Sequence, residues 1–227
     1  MPRDPARAKP RRGPKWHARR QVIVDTSARL FARQGYHATG LSELCAANEL
    51  GRGAFYYYIG SKEDLLAAIH DRVMDEVMLS ADRVARAGGS PSEQLAGLGD
   101  ELLDIIGRYP DHVWVFLHEF RALTGDRAKD FRRRRREYEH RVEAVVRAGV
   151  ESGEFRDDLD PWLTSIAWLG LHNYTYMWFK PNRRLSAHNV ATAFADLVLQ
   201  GITHPRGRAE THLTGQSNRR RRLSPTR

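Results

Sequence analysis

Cysteine occurs once in the 227 residues, at Cys45. One thiol cannot close an intramolecular disulfide or build a cysteine-rich metal site, and a lone Cys reads as a small buried hydrophobe on a short helix. No apolar run reaches the roughly 18 residues that a membrane-spanning helix needs. The polar start, Met1-Pro2-Arg3-Asp4, lacks the apolar segment of a secretory signal. The expected setting is therefore cytoplasmic, with no membrane partner. Alternating apolar and polar residues are absent, as are Asn-Gly and Asp-Gly turns, so strands and hairpins are not expected and the fold class reads as all-α. No nucleophile elbow, Walker loop, dinucleotide glycine motif or His-Glu-x-x-His is present. The cluster Asp157, Asp158 and Asp160 lacks the glycine and distal glutamate of a calcium loop and reads as a helix end followed by a cap. The sequence thus offers no catalytic residue, no metal site and no cofactor.

What is there is a chain with 41% hydrophobic residues, enough for a globular core, and an uneven charge. Residues 1–20 carry eight Lys/Arg against one Asp, and residues 204–227 carry seven Arg against one Glu. Of the net charge of +9, these ends hold more than the whole, and the body between them is negative. Both ends are poor in apolar residues and cannot bury enough surface to fold alone. The expected division is a disordered basic arm at 1–15, a small helical unit at 16–66, a larger helical unit at 67–203 and a disordered basic tail at 204–227.

The body reads as successive helices. The first is expected over Trp16 to Gln34, where Ile23, Ser27, Leu30 and Phe31 share one face and Gly35 caps the end. Short helices follow over Leu41 to Ala47 and Arg52 to Tyr58. Ser61 caps a fourth, with Asp64 at the capping-box position, and Leu66, Ile69, Val73 and Val77 carry it toward residue 86. Further helices are expected at about 92–107, 110–123, 127–152, 160–179 and 186–202, divided by glycines and prolines.

The stretch 20–69 has the proportions of a helix-turn-helix, whose short third helix would enter the major groove. Gly51 and Gly53 leave its leading edge bare, so backbone can approach a duplex closely. Arg52 is the long cation there and suits a bidentate pair with guanine. Three adjacent tyrosines, Tyr56, Tyr57 and Tyr58, point about 100° apart and cannot all face one core; an exposed one suits a phosphate backbone. Lys62 opens the next helix, where an ammonium and backbone N–H groups together favour a phosphate.

These residues resemble the TetR family of bacterial regulators. The likeness runs through Ile23, Leu30-Phe31, Gly35-Tyr36, Ala38-Thr39, Leu44, Leu50, Gly53, Phe55 to Ile59 and Ser61-Lys62-Glu63-Asp64-Leu65-Leu66. The resemblance implies Thr39 near a phosphate, Arg52 and Gly53 at base edges, Tyr56 and Tyr57 on the backbone and Lys62 on a phosphate. Glu49 stands where the family's turn normally has glycine, which moves the left-handed residue in expectation to Asn48. Gly51 replaces the family's following serine, and Gly40 stands at the second helix's N-cap in place of Ser or Thr. The resemblance further implies a C-terminal ligand-sensing and dimerising unit. The stretch Gly149 to Asp160, and Trp178-Phe179-Lys180-Pro181 with Leu185-Ser186-Ala187, look like the subgroup controlling fatty-acid and steroid degradation, whose members often respond to acyl-CoA thioesters.

The candidate ligand set is aromatic: Trp114, Phe120, Tyr138, Trp168, His172 and Tyr176. Residues 168, 172 and 176 form one helical stripe, which a dimer seam or a pocket wall would equally produce. His172 alone reads first as a hydrogen-bonded core histidine. Arg132 to Arg136 read as a solvated surface or, in part, as a site for the phosphates of a CoA-like ligand. The expectation is a homodimeric repressor that binds double-stranded operator DNA and is released by an apolar effector, an acyl-CoA among the candidates. A non-specific nucleic-acid binder driven by the tails, and an all-helical enzyme, are the alternatives.

Overall fold

The computed structural model describes residues 13–181 and 185–203. The basic tail at 204–227 and most of the basic arm lie outside the described residues. Within them the chain forms α1 (Pro14–Gln34), α2 (Leu41–Ala47), α3 (Arg52–Tyr58), α4 (Lys62–Ala87), α5 (Pro91–Arg108), α6 (Pro110–His118), α7 (Gly125–Glu151), α8 (Pro161–Asn173) and α9 (Ala187–Ile202). Among the described residues there is no strand; an isolated bridge pairs Phe155 with Thr203. The protein is all-α, as expected.

Helix ends follow local chemistry. Pro14, Pro91, Pro110 and Pro161 stand at first turns, where a missing N–H costs nothing. Ser61 Oγ accepts the Asp64 N–H at 2.9 Å, and Ser90 with Glu93 completes a reciprocal capping box at α5.

Two helices end earlier than expected. α6 stops at His118 and continues as a 3-10 turn, Phe120–Ala122. Glu119 leaves the helix because its carboxylate accepts the backbone N–H of Tyr36 at 3.0 Å, tying the end of α6 to the end of α1. The expected helix over 160–179 stops at Asn173 and tightens into a 3-10 turn, Tyr174–Met177. Thr175 Oγ1 donates to the His172 carbonyl at 2.6 Å, taking the acceptor a continuing α-helix would need. The Phe179 N–H then folds back onto the Thr175 carbonyl at 2.7 Å, and Phe179 is buried.

There are two apolar cores. The first joins α1, α2, α3 and the start of α4 through Ile23, Phe31, Leu44, Phe55 and Leu66, and it also takes Val115, Leu123 and Phe131 from α6, its following turn and α7. The second gathers α4 to α9 around Val77, Leu103, Ile106, Val142 and Trp168. The chain packs closely where glycine permits. A Cβ on Gly149 would lie 2.1 Å from the Phe155 ring, and one on Gly99 would lie 2.7 Å from His172 Nε2.

Candidate nucleic-acid interface and adjoining cavity

The turn between α2 and α3 is held from inside. Asn48 is buried, and its Nδ2 donates to the Leu44 carbonyl at 2.8 Å and to Ser27 Oγ at 3.2 Å. Arg19 donates to the Asn48 carbonyl at 2.8 Å. These bonds keep Asn48 at φ −100°, so the left-handed position expected there falls instead on Glu49, at φ +52°. The Leu50 N–H closes the turn on the Cys45 carbonyl at 2.9 Å, the pattern of a Schellman end with glutamate where glycine is easiest. Cys45 is buried, as expected.

α3 then presents a bare front. Arg52, Gly53, Tyr56 and Tyr57 are all exposed, the two tyrosines by more than half, while Phe55 alone in that run is buried. A Cβ at Gly51 or Gly53 would meet nothing within 4 Å. Arg52 reaches across to Ser42 Oγ on α2 at 3.1 Å, which holds the guanidinium on the edge between the two helices. Tyr58 turns the other way and stacks on Trp16 of α1 with ring centroids 5.8 Å apart.

Two expected contact residues sit differently. Thr39 is 1% exposed. Its hydroxyl donates to the Gly35 carbonyl at 2.8 Å and accepts from Gln34 at 3.2 Å, so its polar atoms are consumed in closing α1 onto α2 rather than offered to a phosphate. Lys62 is half-buried, its Nζ 4.3 Å from the Tyr36 ring centroid, and burial lowers its pKa against the opposing charge of Glu119. Ser42, which holds Arg52 at this front, carried no signal that sequence reading used; Asn48 was expected in the turn, but as its left-handed residue and not as the buried side chain that holds it.

Next to this unit lies a cavity of about 180 Å³, walled by α4 to α8 with residues such as Met74, Ile106, Val113, Tyr138, Ile166 and Asn173. Of the six aromatic residues expected to hold a ligand, Tyr138 alone lines it. Trp114 faces the other side of α6 and stacks on His118 at 4.4 Å. Phe120, past the end of α6, stacks on Phe131 in the first core. Trp168 and His172 turn toward α5 and α9, where the space between the helices is filled. Tyr176 is carried off by the 3-10 turn and its hydroxyl meets His118 Nε2 at 3.0 Å. The rest of the wall is mainly aliphatic, with Phe116 and the polar Arg135, Glu139 and Asn173 among it, so aromatic content was a poor guide to it.

His172 is a core histidine. Its Nδ1 donates to the Trp168 carbonyl at 2.8 Å, and burial pulls its pKa down to about 4, so the ring is neutral near pH 7. Burial does the same to His70, also to about 4. The arginine run is mostly paired. Arg133 meets Asp130, Arg134 meets Asp71 and Asp75 on α4, and Arg135 donates to Glu139 at 2.9 Å.

The cavity and the helix-turn-helix are joined by direct bonds. His112 of α6 meets Asp25 of α1 at 3.0 Å, Glu119 holds Tyr36, and Glu63 of α4 accepts from the Thr124 hydroxyl at 2.7 Å. Val113, Phe116 and Leu117 of the same α6 line the cavity.

Comparison with known proteins agrees with this architecture. Residues 23–69 match the model of bacterial regulatory proteins of the tetR family. Residues 88–202 match that of the tetracyclin repressor-like C-terminal domain. The HTH-type transcriptional repressor KstR2 of Mycolicibacterium smegmatis is 25% identical over 194 residues, covering 84% of this chain and 93% of that protein. The structure of the ketosteroid transcriptional regulator KstR2 of Mycobacterium tuberculosis superposes with a TM-score of 0.77 at 24% identity, covering 82% of this chain and 95% of that one, a likeness of fold. AibR, solved in complex with isovaleryl coenzyme A and operator DNA, is 29% identical with a TM-score of 0.71, covering 79% of this chain and 97% of that one. A helix-turn-helix with a bare recognition helix, bonded to a helical unit that encloses a cavity, places this chain in the TetR family of bacterial transcriptional regulators.

Proposed function

We propose that the protein is a homodimeric repressor which occupies a palindromic operator and leaves it when an acyl-CoA thioester enters the cavity of α4 to α8. The observation that carries the reading is the double use of α6. One side of it walls the cavity through Val113, Phe116 and Leu117, and its ends hold α1 through His112 and Glu119. A ligand that displaces α6 therefore moves the element on which the helix-turn-helix rests. Release follows only if the ligand binds the DNA-incompetent arrangement more tightly, and shifting most of the population takes about 5 kcal/mol of that preference.

In this reading Arg52 and Gly53 meet base edges, Tyr56 and Tyr57 meet the backbone, and Lys62 supports a phosphate from its place over Tyr36. Thr39 serves by closing the fold behind them. One short recognition helix reads few bases, so specificity asks for two copies about a two-fold axis. The surface for that is the exposed apolar set on α8, its following turn and α9, which includes Trp162, Leu163, Tyr174, Met177 and Leu197. Several large apolar side chains left exposed on neighbouring elements support an association surface there. Support for a CoA-linked effector comes from the likeness to AibR, whose structure holds isovaleryl coenzyme A and operator DNA.

The test selects the preferred DNA of the purified protein, then titrates acyl-CoA esters and free CoA against the preformed complex, with sedimentation to count protomers. A palindromic site, two protomers per site and release by an acyl-CoA are expected. A monomer at micromolar concentration with and without DNA overturns the assembly, and no release by any acyl-CoA overturns the effector class.

A further inference from the structure

A second cleft, of about 410 Å³, lies between α4 and α7 beside the chamber of α4 to α8. It shares Met74 with that chamber and no other lining residue. Its apolar wall comes from Ala67, Leu123 and Phe131, which belong to the core behind the recognition helix.

His70 lines the same cleft and is 2% exposed. Its Nδ1 stands 2.9 Å from the Leu66 carbonyl, an acceptor, so the proton is on Nδ1 and Nε2 carries a lone pair. Nε2 is buried and has no hydrogen-bond partner. Folded proteins rarely leave a buried acceptor without a donor. The Phe131 ring packs edge-on against His70 with centroids 5.0 Å apart and, unlike Phe116 on the same histidine, also lines the cleft. A turn of that ring brings Nε2 to whatever occupies the cleft.

The rim sets the charge of the occupant. Arg127 is held by Asp64 and Arg134 by Asp71 and Asp75, so neither guanidinium is left for an anion. Asp126 and Asp130 also line the rim, and both are exposed. Their partners, Lys129 and Arg133, lie three residues on along the same helix, and exposed pairs of this kind hold weakly. The carboxylates of Asp126 and Asp130 are thus open to an incoming cation.

We propose that this cleft binds a small organic ammonium, with its apolar body against Ala67, Leu123 and Phe131, its positive charge at Asp126 and Asp130, and an N–H donated to His70 Nε2. The site is separate from the acyl-CoA reading and does not depend on it. A dry cavity of about 150 Å³ holds a benzene-sized molecule, so this cleft takes roughly one or two fused rings with a short amine arm. Because Phe131 turns and α4 parts from α7 beside the first core, occupancy loosens the support of the recognition helix.

Calorimetry on the full chain with tryptamine, indole-3-propionate and ethylammonium tests the site. The second keeps the body and reverses the charge; the third keeps the charge without the body. Tryptamine is expected to bind at least about tenfold more tightly than either, and at saturation to raise operator Kd about threefold or more. Ala67→Leu should fill the cleft and weaken tryptamine about tenfold. Asp126→Asn with Asp130→Asn, on exposed turns of α7, should weaken it about threefold and flatten its dependence on ionic strength. His70→Phe keeps a ring in place without the acceptor and should weaken it about as much. Ile166→Phe, in the chamber wall alone, should change nothing. Indolepropionate binding as tightly as tryptamine would overturn the ammonium class. Loss in Ile166→Phe, with Ala67→Leu and the aspartate pair unaffected, would put the amine in the chamber and overturn the site. Unchanged binding by a folded His70→Phe variant would remove Nε2 from it. An unchanged operator Kd at saturation would overturn the link to DNA, and no binding by tryptamine would overturn the proposal whole while leaving the acyl-CoA reading as it stands.

Discussion

His112 Nε2 on α6 stands 3.0 Å from Asp25 Oδ1 on α1, with the histidine buried and the aspartate half in solvent. Burial lowers the pKa of His112, and the opposing pull of Asp25 does not restore it, so the ring is neutral and donates its N–H. The bond links the helix that walls the cavity to the first helix of the DNA-binding unit. Asp25→Ala is expected to shrink the ratio of operator Kd with and without effector by about three- to tenfold. Asp25→Asn, which keeps an acceptor, should largely preserve it. Anisotropy titrations of labelled operator measure both ratios, and an unchanged ratio in Asp25→Ala removes this bond from the coupling route.

Arg52 and Lys62 should fail differently. Arg52→Ala is expected to cost roughly 1–3 kcal/mol at one base pair and to relax preference there. Lys62→Ala and Tyr57→Phe should weaken binding to all sequences alike, with the salt slope falling by about one unit for Lys62. Selection experiments on each variant read the difference. A shifted base preference in Lys62→Ala would show that α3 docks in another register.

Glu49 holds a left-handed φ of +52° in the tight turn before α3. Glu49→Gly is expected to raise unfolding free energy by about 1 kcal/mol, because the strain of a side chain in that region is removed. Urea denaturation gives the value. A less stable variant would mean that the Glu49 side chain has a stabilising role of its own.

Stability should fall with acid from a named cause. His70 and His172 have pKa values near 4 in the fold, against about 6.5 unfolded. Between those values the unfolded chain binds more protons, so stability is complete above about pH 6.5 and declines as pH drops toward 4. The slope is about 1.4 kcal/mol per pH unit for each histidine across that window. Denaturation midpoints from pH 7.5 to 4.5 should show it, and His172→Gln should flatten the curve; a pH-independent midpoint would contradict the neutral buried rings.

Much of this was legible before the structure. The helix start at Ser61 and the break at Pro161 follow from local chemistry, which acts within a few residues, whereas the first helix begins at Pro14, two residues before the Trp16 expected. The exposed front of α3 followed from counting directions for three tyrosines. What sequence could not supply were contacts across the chain. The bond from Glu119 to Tyr36 that stops α6 spans 83 residues, and no local signal at Glu119 announces it. The same holds for Thr39, whose hydroxyl looked available until the end of α1 was placed beside it. The ligand wall was misjudged because aromatic residues are read as pocket lining, whereas here all of the expected ones but Tyr138 pack helix against helix or surface, and the space is left mainly between aliphatic side chains.

Successive residues of α6 belong to different cores: Val113 to the one around the cavity, Val115 to the one behind the recognition helix, and Phe116 touches both. Ligand preference and DNA affinity are therefore not independent traits for any change made on this helix. A substitution that reshapes the chamber from α6 also repacks the support of α1, so its two effects arrive together. The chamber walls on α5 and α8 carry no such debt, since Leu102, Ile105 and Leu169 sit in the second core alone. A regulator of this design can acquire a new signal through those walls while keeping its old address on DNA.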